Sequence, residues 1–311
     1  LVKFPGTTRN LQGSVPSYTT APVSEWLGSH VYAALGIPVH ETVLGIRDGR
    51  IVCACRDFTF PDSRLVNFHD LKNSLSDDEP GFTEDASTGS GVVLADVRSA
   101  IHRIPVLRSI DGVSDRFWDM FVVDAFIRNI DRNNTNWGVL RNPRGEFSLA
   151  PVYGNGNSFN NKRTDSGIER RLANPDLIRQ DALDVRSCYV TDRGKPIAPL
   201  KYLASGQDEE CTKALDRFME RYDPRSFHDL LDSIPSMSHG LTVVPDGFHE
   251  YHRRVCDYRY EHAFMEAWRD LHPTVGFPSS PEASVPEPLP DPDPSVLPSS
   301  SVPTCFDGPG M

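Results

Sequence analysis

The chain has no cysteine pair spaced Cys-x-x-Cys, no dense basic stretch and no apolar run near the ~18 residues of a membrane-spanning helix. The first absence removes zinc-ribbon and thioredoxin-like chemistry. Its six cysteines (Cys53, Cys55, Cys188, Cys211, Cys256 and Cys305) are scattered. Cys53 and Cys55 share one face of a predicted strand, where they serve as small apolar residues. That usage fits a reducing, cytoplasmic setting and leaves secretion or translocation open. The second absence, with a formal charge of −11, argues against a direct nucleic-acid surface. The short clusters Asn161-Lys162-Arg163 and Glu169-Arg170-Arg171 are expected to be solvated loop charges. The third removes a membrane span. Leu1-Val2-Lys3-Phe4-Pro5 resembles the middle of a strand, with neither an initiator Met nor a signal peptide, so the expectation is a fragment lacking upstream strands.

What is present is enough for two cores, or for one bilobal domain plus a tail, in 311 residues. A strand is expected over Leu1–Phe4 and a helix over Val23–Leu35, stopped by Gly36. Glu41–Ile46 and Arg50–Phe58 flank Asp48-Gly49, a hairpin signal. A short helix is expected at Leu65–Asn73, then an acidic, mobile loop over Ser76–Gly91 and a helix over Leu94–Ile104. Ser114 is a candidate N-cap for a helix running to Arg128, whose apolar residues cover more than one stripe. That helix should be central and buried. Two short strands follow, Trp137–Leu140 and Phe147–Ala150, and then helices at Cys211–Tyr222, Ser226–Ser233 and Phe248–Leu271. From Phe277 onward, ten of the 26 prolines crowd among Ser and Asp, a composition that cannot offset its ordering entropy.

The most informative stretch is Asn129-Ile130-Asp131-Arg132-Asn133-Asn134-Thr135-Asn136-Trp137-Gly138. It places Asp131 five residues before Asn136, in a polar turn between the apolar helix and a strand. A kinase catalytic loop needs that arrangement: an aspartate meets the substrate hydroxyl, and an asparagine reaches a magnesium ion on the ATP phosphates. Two blander readings compete, an Asx-rich turn satisfying its own backbone and a pair of polar caps beside the helix. A calcium loop is rejected, because Asn136 and Asn142 stand where it wants Gly and Glu. Lys3 and Glu25 form the second pair. A strand lysine followed about twenty residues on by a helix glutamate is how kinases orient phosphates. Alone, the pair is better explained as two surface charges, and its weight comes from its position relative to Asp131.

Other candidates are weaker. His249 and His252 lie three apart on a predicted helix beside Arg253 and Arg254, which favours a solvated face over a metal site. Asp124 either braces the catalytic loop or faces solvent. Gly154-Asn155-Gly156-Asn157 carries glycines, but no helix opens directly after it to make a phosphate cradle.

Taken together, several motifs resemble the HipA-like serine/threonine kinases, and most nearly their compact, cell-translocating (CtkA) branch. They are Leu1-Val2-Lys3-Phe4-Pro5, Ser24-Glu25, Gly36-Ile37-Pro38-Val39, Arg56-Asp57-Phe58, the Asn129–Gly138 loop and Leu149-Ala150-Pro151-Val152-Tyr153. The resemblance runs from Leu1 to about His272. It implies an α+β, protein-kinase-like two-lobed fold, with a small β-rich N-lobe truncated at its start and a mainly helical C-lobe. The partial N-lobe would be residues 1–60 and the helical C-lobe with the catalytic loop 61–275, followed by a disordered Pro/Ser-rich tail, 276–311.

The resemblance also implies transfer of the ATP γ-phosphate to a Ser/Thr hydroxyl of a protein substrate, in some members their own. Lys3 would contact the α/β-phosphates, and Glu25 would orient Lys3. Cys55, Arg56, Asp57 and Phe58 would form the hinge meeting adenine through backbone groups. Asp131 would be the catalytic base and Asn136 a Mg²⁺ ligand. The departure is Gly154, where such kinases carry the main metal-binding aspartate. This predicts an impaired kinase, with a nucleotide-binding pseudokinase or scaffold, or the toxin component of a toxin–antitoxin pair with its antitoxin-like partner, as alternatives.

Overall fold

Hydrophobic burial is centred on the predicted apolar helix. In a computed structural model that describes residues 1–6, 20–76 and 91–273, it spans Val113–Ile127, with Phe117, Trp118, Phe126 and Ile127 fully buried. It packs on Glu209–Arg221, and Phe126 stacks edge-on against Tyr222, Phe227 and Phe264. Ser114 does not cap it. Gly112, in the left-handed region at φ 77°, is the N-cap residue, and the Ser114 hydroxyl donates to Glu210 at 2.8 Å.

The N-terminal portion is a three-stranded antiparallel sheet, ordered Val2–Lys3, Arg50–Cys55, Thr42–Arg47. The expected hairpin forms, with Asp48 and Gly49 both at positive φ, as its tight turn requires. Its second strand ends at Cys55 and not Phe58, because the Asp57 carboxylate folds back to accept from the Thr59 amide and hydroxyl. Helix Ala21–Ala34 packs against this sheet and carries Glu25.

A second antiparallel sheet orders Arg64–Asn67, Gly138–Arg141 and Phe147–Leu149. Arg64–Asn67 was expected to be helical from Leu65, and the helix begins only at Phe68. Those four residues gain ladder hydrogen bonds from a partner more than seventy positions later, which local propensity cannot reveal. Helices Leu94–Arg103, Pro199–Ser205 and Phe248–Arg259 also pack on the central one. Phe248–Leu271 is not one regular helix: a π-helical stretch, Tyr260–Phe264, divides Phe248–Arg259 from Met265–Leu271. Gly138 sits where the second sheet is tightest. A Cβ there would lie 2.2 Å from the Val66 carbonyl oxygen and 2.9 Å from the Asn67 Cα, both backbone.

His252 is buried, edge-on to Phe248 at 4.2 Å between ring centroids, and burial pushes its pKa down to about 3, so it is a neutral core residue and not part of a solvated face. Arg171 is likewise buried, paired with Asp181, while Arg163 reaches the same carboxylate at 2.7 Å. Asp124 braces the loop after its helix, as set out below. The loop expected at Ser76–Gly91 and the tail beyond residue 275 lie outside the described residues, apart from the ends of the former. None of the described helices is long and apolar enough to cross a membrane.

Because Gly138 faces backbone on the neighbouring strand, Gly138→Ala should separate the two strands and destabilise the protein by roughly 1–3 kcal/mol or more. Chemical denaturation measures this; an unchanged midpoint would show that the sheet is looser than described.

Candidate active site

The loop after the central helix is held by one buried cation. Arg132, 1% exposed, donates through Nε and Nη2 to both oxygens of Asp124 at 2.7 and 3.0 Å. Its Nη1 donates to the carbonyls of Asn136 (3.0 Å) and Tyr153, and its Nη2 also reaches Asn155 Oδ1 at 2.6 Å. All five guanidinium N–H groups are thereby used. Burial works to discharge Arg132, but the Asp124 charge outweighs it and raises the pKa. Asp124 also accepts from the Tyr32 hydroxyl at 2.8 Å and from Asn129 Nδ2 at 3.1 Å. One ion pair therefore ties the central helix, the Asn129–Asn136 loop and the 153–155 segment together.

That loop presents Asp131 half-buried. Its Oδ1 accepts from Asn133 Nδ2 at 2.8 Å and its Oδ2 from Asn157 Nδ2 at 2.9 Å. Asn136 folds back so that its Nδ2 donates to the Asp131 carbonyl. The local turn is thus Asx-rich, as the blander reading held. Those bonds fix the Asp131 and Asn136 side chains, with both Asp131 oxygens accepting a side-chain amide.

Across from the loop, Lys3 Nζ donates to Glu25 Oε2 at 2.7 Å. Glu25 is fully buried, and its other oxygen accepts from the Gly154 amide at 3.2 Å. His40 Nε2 lies 2.9 Å from that same oxygen, close enough for an ion pair but misaligned for a good hydrogen bond. Burial works to raise the Glu25 pKa; the neighbouring His40 and Lys3 outweigh it and hold it at about 2, against an ordinary 4.5. His40 was not singled out by its sequence, where only the preceding Pro38-Val39 stands out. Its backbone and its neighbour's join the two portions: Val39 bridges Val152 in parallel, and the His40 amide donates to the Val152 carbonyl at 3.0 Å.

Gly154 stands between these groups at φ 79°. A Cβ at this position would lie 3.1 Å from Asn136 Oδ1. A side chain there would therefore converge on the same point as the Asn136 amide, as two ligands of one ion would. With glycine, Asn136 supplies one neutral oxygen and position 154 supplies none. A hard octahedral ion such as Mg²⁺ calls for carboxylate oxygens, so this pair does not fit it well. Gly28 closes the arrangement from behind: a Cβ there would meet Asn155 Cβ at 2.8 Å, so only glycine lets the Glu25 helix approach this closely.

The four expected hinge residues are contiguous but not equivalent. The Cys55 amide and carbonyl are both taken by Leu1, at 2.7 and 3.0 Å, and the Arg56 amide by the Glu41 carbonyl at 2.9 Å. Phe58 packs its ring on Tyr153, 5.5 Å between centroids, and Asp57 turns its carboxylate to Thr59.

Two outcomes follow from this charge arrangement. Arg132→Met should cost about 3–5 kcal/mol, since Asp124 would be left buried and uncompensated; urea denaturation measures it, and a cost below about 1 kcal/mol contradicts the bracing role. Because the folded Glu25 pKa lies below its unfolded value, its stabilisation is complete above about pH 4.5 and is lost as pH falls toward 2. In Glu25→Gln the stability lost between pH 6 and pH 2.5 should be smaller by roughly 2–3 kcal/mol. Equal acid sensitivity in both proteins would contradict the ionised, buried carboxylate.

No family model matches the chain. The chain is 33% identical over 240 residues to the serine/threonine-protein kinase CtkA of Helicobacter pylori strain J99, a match covering 76% of this chain and 71% of that protein. The crystal structure of the H. pylori proinflammatory kinase CtkA superposes with a TM-score of 0.74 at 29% identity, covering 88% of this chain and 91% of the other. A Shewanella oneidensis HipA–HipB–operator DNA complex matches at a TM-score of 0.45 and 12% identity, over 86% of this chain and 59% of the matched one. With its α+β two-lobed kinase-like fold, the chain belongs to the HipA-like serine/threonine kinases, in their CtkA-like branch.

Proposed function

We propose that this chain binds ATP between its N-terminal sheet and the Asp131 loop, as a Ser/Thr protein kinase domain whose phosphoryl transfer is impaired by Gly154. The observation that carries the reading is the 2.7 Å Lys3–Glu25 pair with the second Glu25 oxygen on the Gly154 amide. It presents an oriented ammonium where phosphates would lie. The cleft falls between residues 1–60 as a partial N-lobe and 61–275 as the C-lobe.

In this reading Lys3, steadied by Glu25, pairs with α/β-phosphate oxygens. Asp131, positioned by Asn133 and Asn157, accepts the proton of a substrate Ser or Thr hydroxyl as that oxygen attacks the γ-phosphorus and the bond from that phosphorus to the β,γ-bridging oxygen breaks, releasing ADP. The adenine-facing backbone is assigned to Asp57 and Phe58, because the sheet already uses the amides of Cys55 and Arg56. The kinase family uses Mg²⁺ in general to neutralise the phosphates. Asn136 and Gly154 offer that ion no carboxylate. Gly154 equally favours a second reading, a pseudokinase that binds nucleotide without turnover. The reading as a toxin component rests on the resemblance alone.

Gly154→Asp tests the impairment. The left-handed backbone and the nearby Asn136 oxygen should make the variant less stable without metal by about 1–2 kcal/mol. With Mg²⁺ and radiolabelled ATP it should incorporate label roughly 100-fold faster than the chain with glycine. Equal, robust incorporation by both would overturn the impairment. ATP should also raise the melting temperature of the glycine form with little dependence on Mg²⁺, and Lys3→Met should remove that shift; a flat melting profile with nucleotide would remove both readings.

A further inference from the structure

Glu25, His40 and Cys55 bring three different ligand types together behind the Lys3 ammonium. One carboxylate oxygen, one imidazole nitrogen and the Cys55 sulfur all lie within 4.8 Å of one another, and all three residues are buried. They come from three separate elements: the helix Ala21–Ala34, the segment before the first hairpin strand, and the end of the second. His40 is 5% exposed, and its Nε2 makes no well-aligned hydrogen bond although it sits 2.9 Å from Glu25 Oε1. A buried ring nitrogen without a proper partner, aimed at a carboxylate with a thiol beside it, is poised for a cation that accepts all three.

We propose that Glu25, His40 and Cys55 form a site for a borderline-soft divalent metal of the zinc class, and that occupancy of this site withdraws Glu25 from Lys3. Metal–ligand lengths of about 2.0–2.3 Å place tetrahedral ligand atoms about 3.3–3.6 Å apart. The 2.9 Å His40–Glu25 separation therefore opens by about half an ångström while Cys55 moves inward. The charges also balance: one carboxylate, one thiolate and a neutral imidazole match a dication. Cys55 loses its proton to solvent when the metal–sulfur bond forms. Mg²⁺ does not compete, because it wants six oxygen ligands, whereas a sulfur–nitrogen–oxygen set selects zinc and its neighbours.

A metal ion on Oε1, the oxygen beside His40, draws the carboxylate's charge away from Oε2, where Lys3 sits, and competes with the Gly154 amide for Oε1 itself. Filling the site thus frees Lys3 and loosens the hydrogen bond to the Gly154 amide. The effect on nucleotide rests on the kinase reading above, but the metal site does not, and two separate readouts keep them apart.

The full chain, reduced and freed of metal, is titrated with zinc alone by calorimetry and with cobalt(II) alone by absorption. One zinc per chain is expected. A thiolate-to-cobalt charge-transfer band should appear, with the intense visible bands of a four-coordinate ion. Zinc binding should fall at least tenfold in Cys55→Ser and in His40→Gln, and persist in Cys53→Ser. Cobalt spectra without a thiolate band, zinc binding unchanged in Cys55→Ser, or no binding at all would overturn the site. The cobalt result on the unmutated chain stands even if a variant fails to fold. In the second readout, zinc should abolish the ATP-induced melting shift. If the metal binds but the shift survives, the withdrawal of Glu25 from Lys3 is overturned. If ATP produces no shift without zinc, the kinase reading fails and the metal site stands on its own titration.

Discussion

A guanidinium buried away from water must find a counter-charge and five acceptors, or the fold around it cannot form. Arg132 meets that demand with Asp124, two carbonyls and Asn155, and in doing so fixes the relative positions of three chain segments. Asp124 lies on the central buried helix, so the arrangement is anchored in the hydrophobic core. A buried ion pair adds little net stability over a well-packed apolar substitute. Its value here is geometric. An apolar side chain would fill the same space without dictating where Asn136, Tyr153 and Asn155 must stand.

Glu25 plays a corresponding part on the other side. One carboxylate faces a lysine, a histidine and a backbone amide, and its two oxygens divide them. Because it is fully buried, its ionisation is sustained only by those neighbours, and the helix that bears it is committed to a single orientation. The Val39–Val152 bridge adds a backbone link between the same regions. The strand lysine, the helix glutamate and the 153–155 segment therefore belong to one connected set of contacts.

Much of this was readable from the residues themselves. The apolar run from Phe117 to Phe126 could only be a buried helix, and Asp48-Gly49 could hardly be anything but a hairpin turn. The Asp131–Asn136 spacing and the Lys3–Glu25 separation marked groups that the fold does bring into contact networks. What stayed hidden depended on distant partners. Arg64–Asn67 is a strand because Gly138–Arg141 arrives beside it. Ser114 carries a good capping side chain, yet Glu210 claims its hydroxyl. His40 and His252 look alike in sequence, and only packing tells that one faces a carboxylate and the other a phenylalanine. Arg132, flanked by polar residues, gave no local sign of complete burial.

The contact between Gly28 and Asn155 has a bearing on how such a chain can change over generations. Helix backbone and amide side chain touch there with no room for a methyl group. The two positions are thus bound as a pair in inheritance. A descendant that acquired alanine at the first would need a slimmer residue at the second, and that slimmer residue would deprive Arg132 of an acceptor. Drift at an unremarkable helix glycine is in this way answerable to a buried charge that the glycine itself never touches.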